Sequence, residues 1–527
     1  MRQRYLAFLL LSVFMTAAAW SQAVQPAEAK DKALSLTLEE CILRAMKNNL
    51  TVAVQVMEPK IAETSLSRAG EKFIPSLSFS SSRRSTNSAS YSWIDAAEKV
   101  ITDYDRYSTQ INQSLPTGGS FDIILDGYKN DTNQKFQTIN PRFGSTLTFN
   151  LTQPFLKDFG PKMSRREITI ARNNLTISES QLKKTLLDTI YQVEDAYWNL
   201  AYYIDNLDIR KLALTLARDL LEKNRRSVEV GTLAPIEILS AQAEVATREA
   251  DILQAEAQVK NAEDRLKAVI NLSAEEEKLA TTIIPADKPD FTEKAMSLEQ
   301  ALSTALANRP DLESVRLGLK NQEINVSYAK NQLLPSLNLS ASYWSPGVSG
   351  NRILYLNDNP LTGVILGIVP GGGSSALKDA VGFKYRNWSL GLTLSVPLSN
   401  IFSRAAYAQA KLDMEQALLS LKEQEQSVFL EVKTAVRAVD TNFKRIQAYK
   451  VARELAEQKL TAEEEKLKVG LSTNFMVLTY QRELANARTS ELRAIVDYSL
   501  SLASLDRAMG VTLDNKNIKF SEFLPNN

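Results

Sequence analysis

The sequence predicts a mostly α-helical chain carrying a set of strands suited to a transmembrane β-barrel, built from one unit used twice. Three observations predict it. First, apolar residues recur at helical spacing along two very long runs, 163–230 and 404–469. In the first run Ile168, Ala171, Leu175, Leu182, Leu186, Ile190, Val193, Tyr197 and Leu200 fall at steps of three, four or their sum. That is one helical seam, well past the usual helix limit of about 25 residues. At 1.5 Å per residue it makes a rod on the order of 100 Å long, which suits a coiled coil or a wall of helices. Second, alternating segments precede both runs. Third, these features occur in the same order in each half of the chain.

Composition removes several function classes. The chain has 527 residues, with Lys+Arg 62 against Asp+Glu 61, for a formal net charge of +1. A nucleic-acid binder usually carries a basic excess. Histidine is absent, so no imidazole serves acid–base chemistry or metal ligation. The single cysteine, Cys41, lies among Ile42, Ala45 and Met46 and reads as a small buried hydrophobe. No Gly-x-x-x-x-Gly-Lys cradles a phosphate. Acidic runs such as Glu463-Glu464-Glu465 read as solvated helix faces rather than catalytic carboxylates. No catalytic, cofactor-binding or metal residue is predicted, and the chain is not expected to be an enzyme.

Residues 1–23 read as a signal peptide. Arg2 and Arg4 precede the apolar run 5–15, and Ala17-Ala18-Ala19 or Ser21-Gln22-Ala23 supplies small residues for cleavage. No later run approaches the ~20 apolar residues of a membrane helix. Insertion of the exported chain into a membrane would therefore have to use strands.

The first repeat is placed at 24–285. A helix is expected over 37–72, capped by Thr37 with Glu39 and Glu40 in its first turn. Strands follow within 75–153, then the long helix 162–229 and a helix at 235–271. The second repeat, 286–512, carries a helix at 298–332, strands within 335–397, the long helix 403–469 and a helix at 475–510. Leu38-Glu39, Ala45, Asn48 and Pro75-Ser76-Leu77 match Leu298-Glu299, Ala305, Asn308 and Pro335-Ser336-Leu337 without a gap. Residues 513–527 read as a tail. The Ser-, Asn- and Asp-rich stretches 83–104 and 129–142, and 345–386 with Gly371-Gly372-Gly373, read as surface loops. Residues 107–129 contain a turn, Pro116-Thr117-Gly118-Gly119, between alternating segments that include Phe121, Ile123 and Leu125. Whether this hairpin joins the barrel is left open by the pattern.

The strands have two unlike faces. Leu147, Phe149 and Leu151 oppose Thr146, Thr148, Asn150 and Thr152, and Leu390, Leu392 and Leu394 oppose Ser389, Gly391, Thr393 and Ser395. That pattern suits a barrel in lipid with a wet lumen and also a half-buried soluble sheet; the exported context, the duplication and the long helices favour the barrel, with the six apolar residues facing lipid.

Together these features resemble the TolC-like outer membrane efflux protein family, the outer membrane factors. The resemblance spans about residues 36–512. It rests on Leu38-Glu39, the two Pro-Ser-Leu strand starts, Gln153-Pro154-Phe155-Leu156, Val230-Gly231-Thr232, Val469-Gly470-Leu471 and Leu505-Asp506-Arg507-Ala508-Met509-Gly510. It implies a homotrimer with a barrel in the outer membrane and a long α-helical tunnel across the periplasm. Four strands per chain are too few to close a barrel, and three chains of four would close one of twelve. It implies passive conduction, as the exit duct of a tripartite efflux pump or a type I secretion system. The partners would be a periplasmic adaptor (membrane fusion) protein and an inner-membrane RND or ABC transporter. The turns Val230-Gly231-Thr232 and Val469-Gly470-Leu471 match the tip that docks the adaptor.

The gate departs from the family pattern. Some members narrow the tip with acids six and nine positions after the second-repeat glycine. Here those positions hold Met476 and Thr479, while the sixth position after Gly231 is Glu237. Phe475 and Met476 are therefore expected to form an apolar constriction that closes by dewetting. Glu237 would lie at its periphery, paired with Arg225 or Arg226. The competing reading places Phe475 and Met476 in the seam of the last helix. At the level of the whole chain, the rival is a periplasmic coiled-coil adaptor or scaffold, which explains the helices and the leader but not two matched sets of strands.

Overall fold

A computed structural model describes residues 33–95, 97–272, 282–289, 291–294 and 296–524. The expected leader lies outside them. Two helical units, one large antiparallel sheet and one small parallel pair of strands make up the described chain. The first repeat runs through β1 (Ala33–Leu36), α1 (Leu38–Asn48), α2 (Leu50–Glu71) and β2 (Ser76–Ala89). Then come β3 (Lys99–Ser114), β4 (Ser120–Thr132), β5 (Ile139–Pro154), the short α3 (Pro161–Ser164), α4 (Arg166–Glu229), α5 (Ile236–Ile270) and β6 (Thr282–Pro285), which pairs in parallel with β1. The second repeat follows with α6 (Leu298–Asn308), α7 (Pro310–Asn331), β7 (Ser336–Tyr355), β8 (Ile365–Val369), α8 (Gly373–Val381), β9 (Asn387–Ser395), α9 (Ile401–Lys468) and α10 (Asn474–Met509). A last turn of helix, α11 (Thr512–Asn515), lies in the tail.

The duplication is close in helix length. α1 and α6 each have 11 residues, α2 and α7 each have 22, and α4 and α9 have 64 and 68. The helices expected to be continuous over 37–72 and 298–332 are each broken at the same repeat position. In the first repeat the Asn49 side chain takes the N–H groups of Thr51 and Val52, starting a new helix. In the second, Pro310 supplies no N–H and begins α7 after Arg309. The long helix expected from 162 likewise divides at Arg165 into α3 and α4.

Each unit has its own core. Leu182, Leu186, Ile190, Val193 and Tyr197 of α4 pack on α1, α2 and the end of α5. Val428, Val432, Ala435 and Val439 of α9 pack on α6, α7 and α10. The end of α5 abuts the α1–α2 junction, where Asn49 Nδ2 donates to the Val269 carbonyl at 2.9 Å. α1 with α2 and then α5 thus cover successive lengths of α4. The tail is part of the first core: Leu513 is buried there, Ile518, Phe520 and Phe523 pack on it, and Lys516 pairs with Glu194. Cys41 is in the same core, and burial pushes its thiol up to about 12, so it is a packing residue rather than a nucleophile.

The sheet corrects several sequence expectations. Its strand order is β2-β3-β4-β5-β7-β8, with β9 also pairing β7. The stretches 83–104 and 129–142, expected as loops, are largely the upper parts of β2, β3, β4 and β5. Their alternation is invisible in the sequence because both faces are polar there. The stretch 345–386 likewise contains the end of β7, all of β8, and α8, whose Ala376 and Ala380 are buried against the sheet. Gly347 admits α8: a Cβ there would lie 2.0 Å from the Ala376 carbonyl oxygen. The 107–129 hairpin sits in the middle of the sheet, so the chain supplies six long strands rather than four.

Candidate functional site

The wall comes first. Residues directly opposed in an antiparallel pair share a face. Leu147, Phe149 and Leu151 of β5 oppose Leu125, Ile123 and Phe121 of β4, and Ser345, Tyr343 and Ala341 of β7. Ile123 opposes Ile111 of β3, and Ile111 opposes Leu77 of β2. On the other side Tyr343, Ala341, Leu339 and Leu337 oppose Trp388, Leu390, Leu392 and Leu394 of β9. The register thus joins both sets of strands expected to face lipid into one apolar band, which α8 covers at Gly347 and Phe383 covers in part, its ring stacked on Phe149 and tilted against Tyr343. Tyr343 and Trp388 continue the row of Ile123 and Phe149, and beyond Tyr107 the same face turns charged at Arg83, Asp103 and Asp105.

The opposite face is mainly polar across all six long strands. Arg106 Nη2 meets Asp126 Oδ1 at 2.9 Å, and the Ser342 hydroxyl donates to Asn150 at 2.7 Å. Asp122 accepts from Gln110 and Asn112. Tyr104 stacks on Tyr128, and Arg142 lies over the Tyr128 ring. Many of these polar groups pair across strands, as a wetted surface permits.

The far ends of the long helices form two tips. α4 turns into α5 through Val230-Gly231-Thr232, and α9 into α10 through Val469-Gly470-Leu471. Gly231 and Gly470 have φ of +76° and +77°, the left-handed conformation that glycine adopts at no steric cost. A Cβ at either would meet nothing within 4 Å, so both turns face open space. Val230, Val469 and Leu471 are exposed. Each turn is closed by side chains. The Thr232 hydroxyl donates to the Ser227 carbonyl at 2.9 Å, and the Ser472 hydroxyl donates to Glu463 at 2.6 Å. The Ser472 hydroxyl, with Lys466, holds the Glu463 carboxyl below its usual value. Thr473 caps α10 by accepting from Met476 N.

A groove between the two tips is lined by Leu220, Asn224, Thr232, Glu237, Asn474 and Val477. The structure places Glu237 in this groove, with Oε2 accepting from Asn474 Nδ2 at 3.3 Å. This corrects the expected partner. Arg226 pairs with Glu222, one turn back on its own helix, because that carboxylate is within reach without crossing the tip. The seam near the tip belongs to Val477, Leu478 and Leu484, packed with Leu220 and Leu460. Phe475 is 70% exposed, Met476 is half-buried, and Thr479 donates to the Phe475 carbonyl. Sequence reasoning missed Asn474. Its signal, an amide at the start of α10, is one that any helix start could carry. Among the described residues, no group of three or more His, Cys, Asp or Glu could hold a metal, and no helix is long and apolar enough to cross a membrane.

Comparisons with known proteins bear on what this arrangement is. The model of the outer membrane efflux protein family matches residues 42–272 and 301–511, one match per repeat. The chain belongs to the outer membrane efflux protein family. Among family relatives, the outer membrane protein TolC of Vibrio cholerae is 25% identical over 386 residues, 72% of this chain and 80% of TolC. Nodulation protein T of Rhizobium leguminosarum is 23% identical over 394 residues, covering 74% and 77%. The CmeC outer membrane channel of Campylobacter jejuni superposes with a TM-score of 0.62 at 16% identity, over 93% of this chain and 90% of that one. The fold is that of these channels: a duplicated unit of barrel strands and long tunnel helices, and the family makes the chain an outer-membrane efflux channel.

Proposed function

We propose that the chain is the outer-membrane exit duct of a tripartite export machine and conducts its cargo passively. The observation that carries this reading is the register of the sheet, which gives six long strands one continuous apolar face and one mainly polar face. A barrel wall in lipid requires such a band. Leu147, Phe149, Leu151, Leu390, Leu392 and Leu394 face lipid in this reading.

One sheet with two free edges does not close, so the duct is a homotrimer, as the resemblance implies. Its helices extend into the periplasm of a Gram-negative cell. The glycine turns at Gly231 and Gly470, six per trimer, dock a periplasmic adaptor that joins the duct to an energised inner-membrane transporter. Phe475 and Met476, with Thr479 one turn on, narrow the tip as an apolar ring. Glu237 sits beside that ring rather than in it.

Reconstitution tests the reading. The purified protein in planar bilayers should give discrete conductance steps, and its mass in detergent should be that of three chains. A protein that leaves membranes with salt alone and gives no conductance would overturn the duct.

A further inference from the structure

We propose that the β3–β4 hairpin is part of the barrel wall, and that three copies close a barrel of eighteen strands rather than twelve. This rests on the trimeric duct reading above and extends it to the width of the exit.

The hairpin is not an appendage. β2 pairs with β3 from Ser76↔Asn112 to Ala89↔Lys99 and with no other strand among the described residues. β5 reaches β2 only through β4 and β3. The ladders that satisfy β2 and β5 run through the hairpin itself, so β3 and β4 lie between them in the wall.

Its side chains agree with that placement. Ile111, Phe121, Ile123 and Leu125 fall on the apolar face, at the level of Leu147, Phe149 and Leu151. Ser108, Gln110, Asn112, Asp122 and Asp126 fall on the polar face. A hairpin lying over the lumen or outside the wall would have no reason to keep both alternations in phase with its neighbours. The turn at Pro116–Gly119 is anchored on the helical side of the wall: Gly160 N donates to the Thr117 carbonyl at 2.9 Å, and a Cβ on Gly118 would lie 2.2 Å from the Asp158 carbonyl oxygen.

Closure follows from strand direction. β2, β4 and β7 run away from the helices, and β3, β5 and β9 run back toward them. Among the described residues the two long strands with one unpaired edge are β2 and β9, and they run in opposite senses. β9 of one copy can therefore pair antiparallel with β2 of the next, with Leu390, Leu392 and Leu394 on the same face as Leu77 and Phe79. An even number of strands per chain lets this joint repeat. Barrel diameter grows roughly in proportion to strand number, so eighteen strands give a lumen about 1.5 times as wide as twelve at equal tilt. The outer end of the duct would then admit molecules about 1.5 times as wide as a twelve-stranded exit of the same tilt admits.

The test measures the wall directly in the full-length trimer. Ile123→Cys should react with a lipid-soluble maleimide and resist a membrane-impermeant one. Ser108→Cys should do the reverse; Cys41 is buried and gives no background. Neutral polymers added from the outer side of single channels in bilayers should enter up to a cut-off diameter. That cut-off should fall by about a third when residues 99–132 are deleted, because β2 and β5 can then pair directly in a twelve-stranded wall. If the deletion variant does not assemble, the labelling pattern alone decides. A trimer in which Ile123→Cys and Ser108→Cys are equally open to the impermeant reagent, or in which deletion leaves the cut-off unchanged, overturns the proposal and leaves the duct standing. A mass of two chains overturns the trimer itself and, with it, the count of eighteen.

Discussion

The amide of Asn474 donates to the carboxylate of Glu237 at 3.3 Å, tying the tip of the second helical hairpin to that of the first within one chain. Farther along the same seam, Arg482 meets Glu244 at 3.0 Å. These two contacts resist a spreading of the tips. Asn474 is buried, and a hydrogen bond of its kind to a charged group contributes about 1.5–3 kcal/mol. Asn474→Ala should loosen the groove and raise single-channel conductance. Glu237→Gln keeps an acceptor oxygen and should change conductance and multivalent-cation block little. Strong cation block lost in Glu237→Gln would place that acid in the pore.

The apolar ring predicts a different response. Phe475 is largely exposed in one chain while its neighbours Val477 and Leu478 are buried, so truncating it costs little packing. Phe475→Ala should leave the melting temperature nearly unchanged and increase conductance, with Met476→Ala acting in the same direction. A large stability loss with no conductance change would return Phe475 to a packing role.

At the turns, Gly231 and Gly470 permit a separation of strain from contact. A bulky residue in the left-handed region costs about 1–2 kcal/mol, whereas Asn adopts it readily. Nothing of the same chain lies within 4 Å of a Cβ at either position. Trimers of Gly470→Asn and Gly231→Asn should therefore be as stable as wild type. If these turns seat the adaptor, the added side chains should nonetheless reduce export in cells. Full export in both variants would remove the docking role.

The two long helices and the order of the repeats were legible because an apolar seam kept in helical period over such a length can be buried only along a continuous helix. The helix breaks at Asn49 and Arg309 were not, since the apolar period continues through them and only a local cap or proline interrupts the backbone. Phe121, Ile123 and Leu125 advertised a strand, yet the sheet position of their hairpin depends on pairings with β2 and β5 that no local pattern encodes. The upper strands were hidden for a related reason: Arg83, Arg84, Asp103 and Asp105 put charge on both faces, and alternation disappears. At the tip, the exposed glycines were readable from their place after a long helix. The Glu237–Asn474 contact joins residues 237 positions apart and could come only from the folded chain.

Protonation offers a prediction for the second repeat. Arg309 at the α6–α7 break contacts Asp311 at 2.6 Å and also Glu431. Burial raises the Asp311 carboxyl, but the hydrogen bonds and charge of Arg309 outweigh it and leave the group below its usual value. Because the folded value lies under the unfolded one, the contribution is fully present above about pH 4 and is lost as pH falls through the folded value. Asp311→Asn should lower stability by about 2 kcal/mol at neutral pH. The gap to wild type should close below about pH 4, read as the helical melting transition across pH. A gap independent of pH would mean that the loss is steric.

The faces of β9 give the sharpest test of the wall. Leu392 and Thr393 are neighbours in sequence, lie in the same strand and point to opposite faces. Exposure does not distinguish them in a single chain, since the whole strand is open. Lipid would. An arginine on the lipid side of a barrel at mid-depth costs about 2–4 kcal/mol, while on the lumen side it meets water. Leu392 lies between Leu390 and Leu394 on the apolar face, opposite Leu339 of β7. Leu392→Arg should therefore reduce assembled trimer in the outer membrane and lower its resistance to heating in detergent. Thr393→Arg should assemble normally and shift only ion selectivity, toward anions. Equal tolerance at the two positions would mean that neither face meets lipid, and the sheet would then be a soluble one.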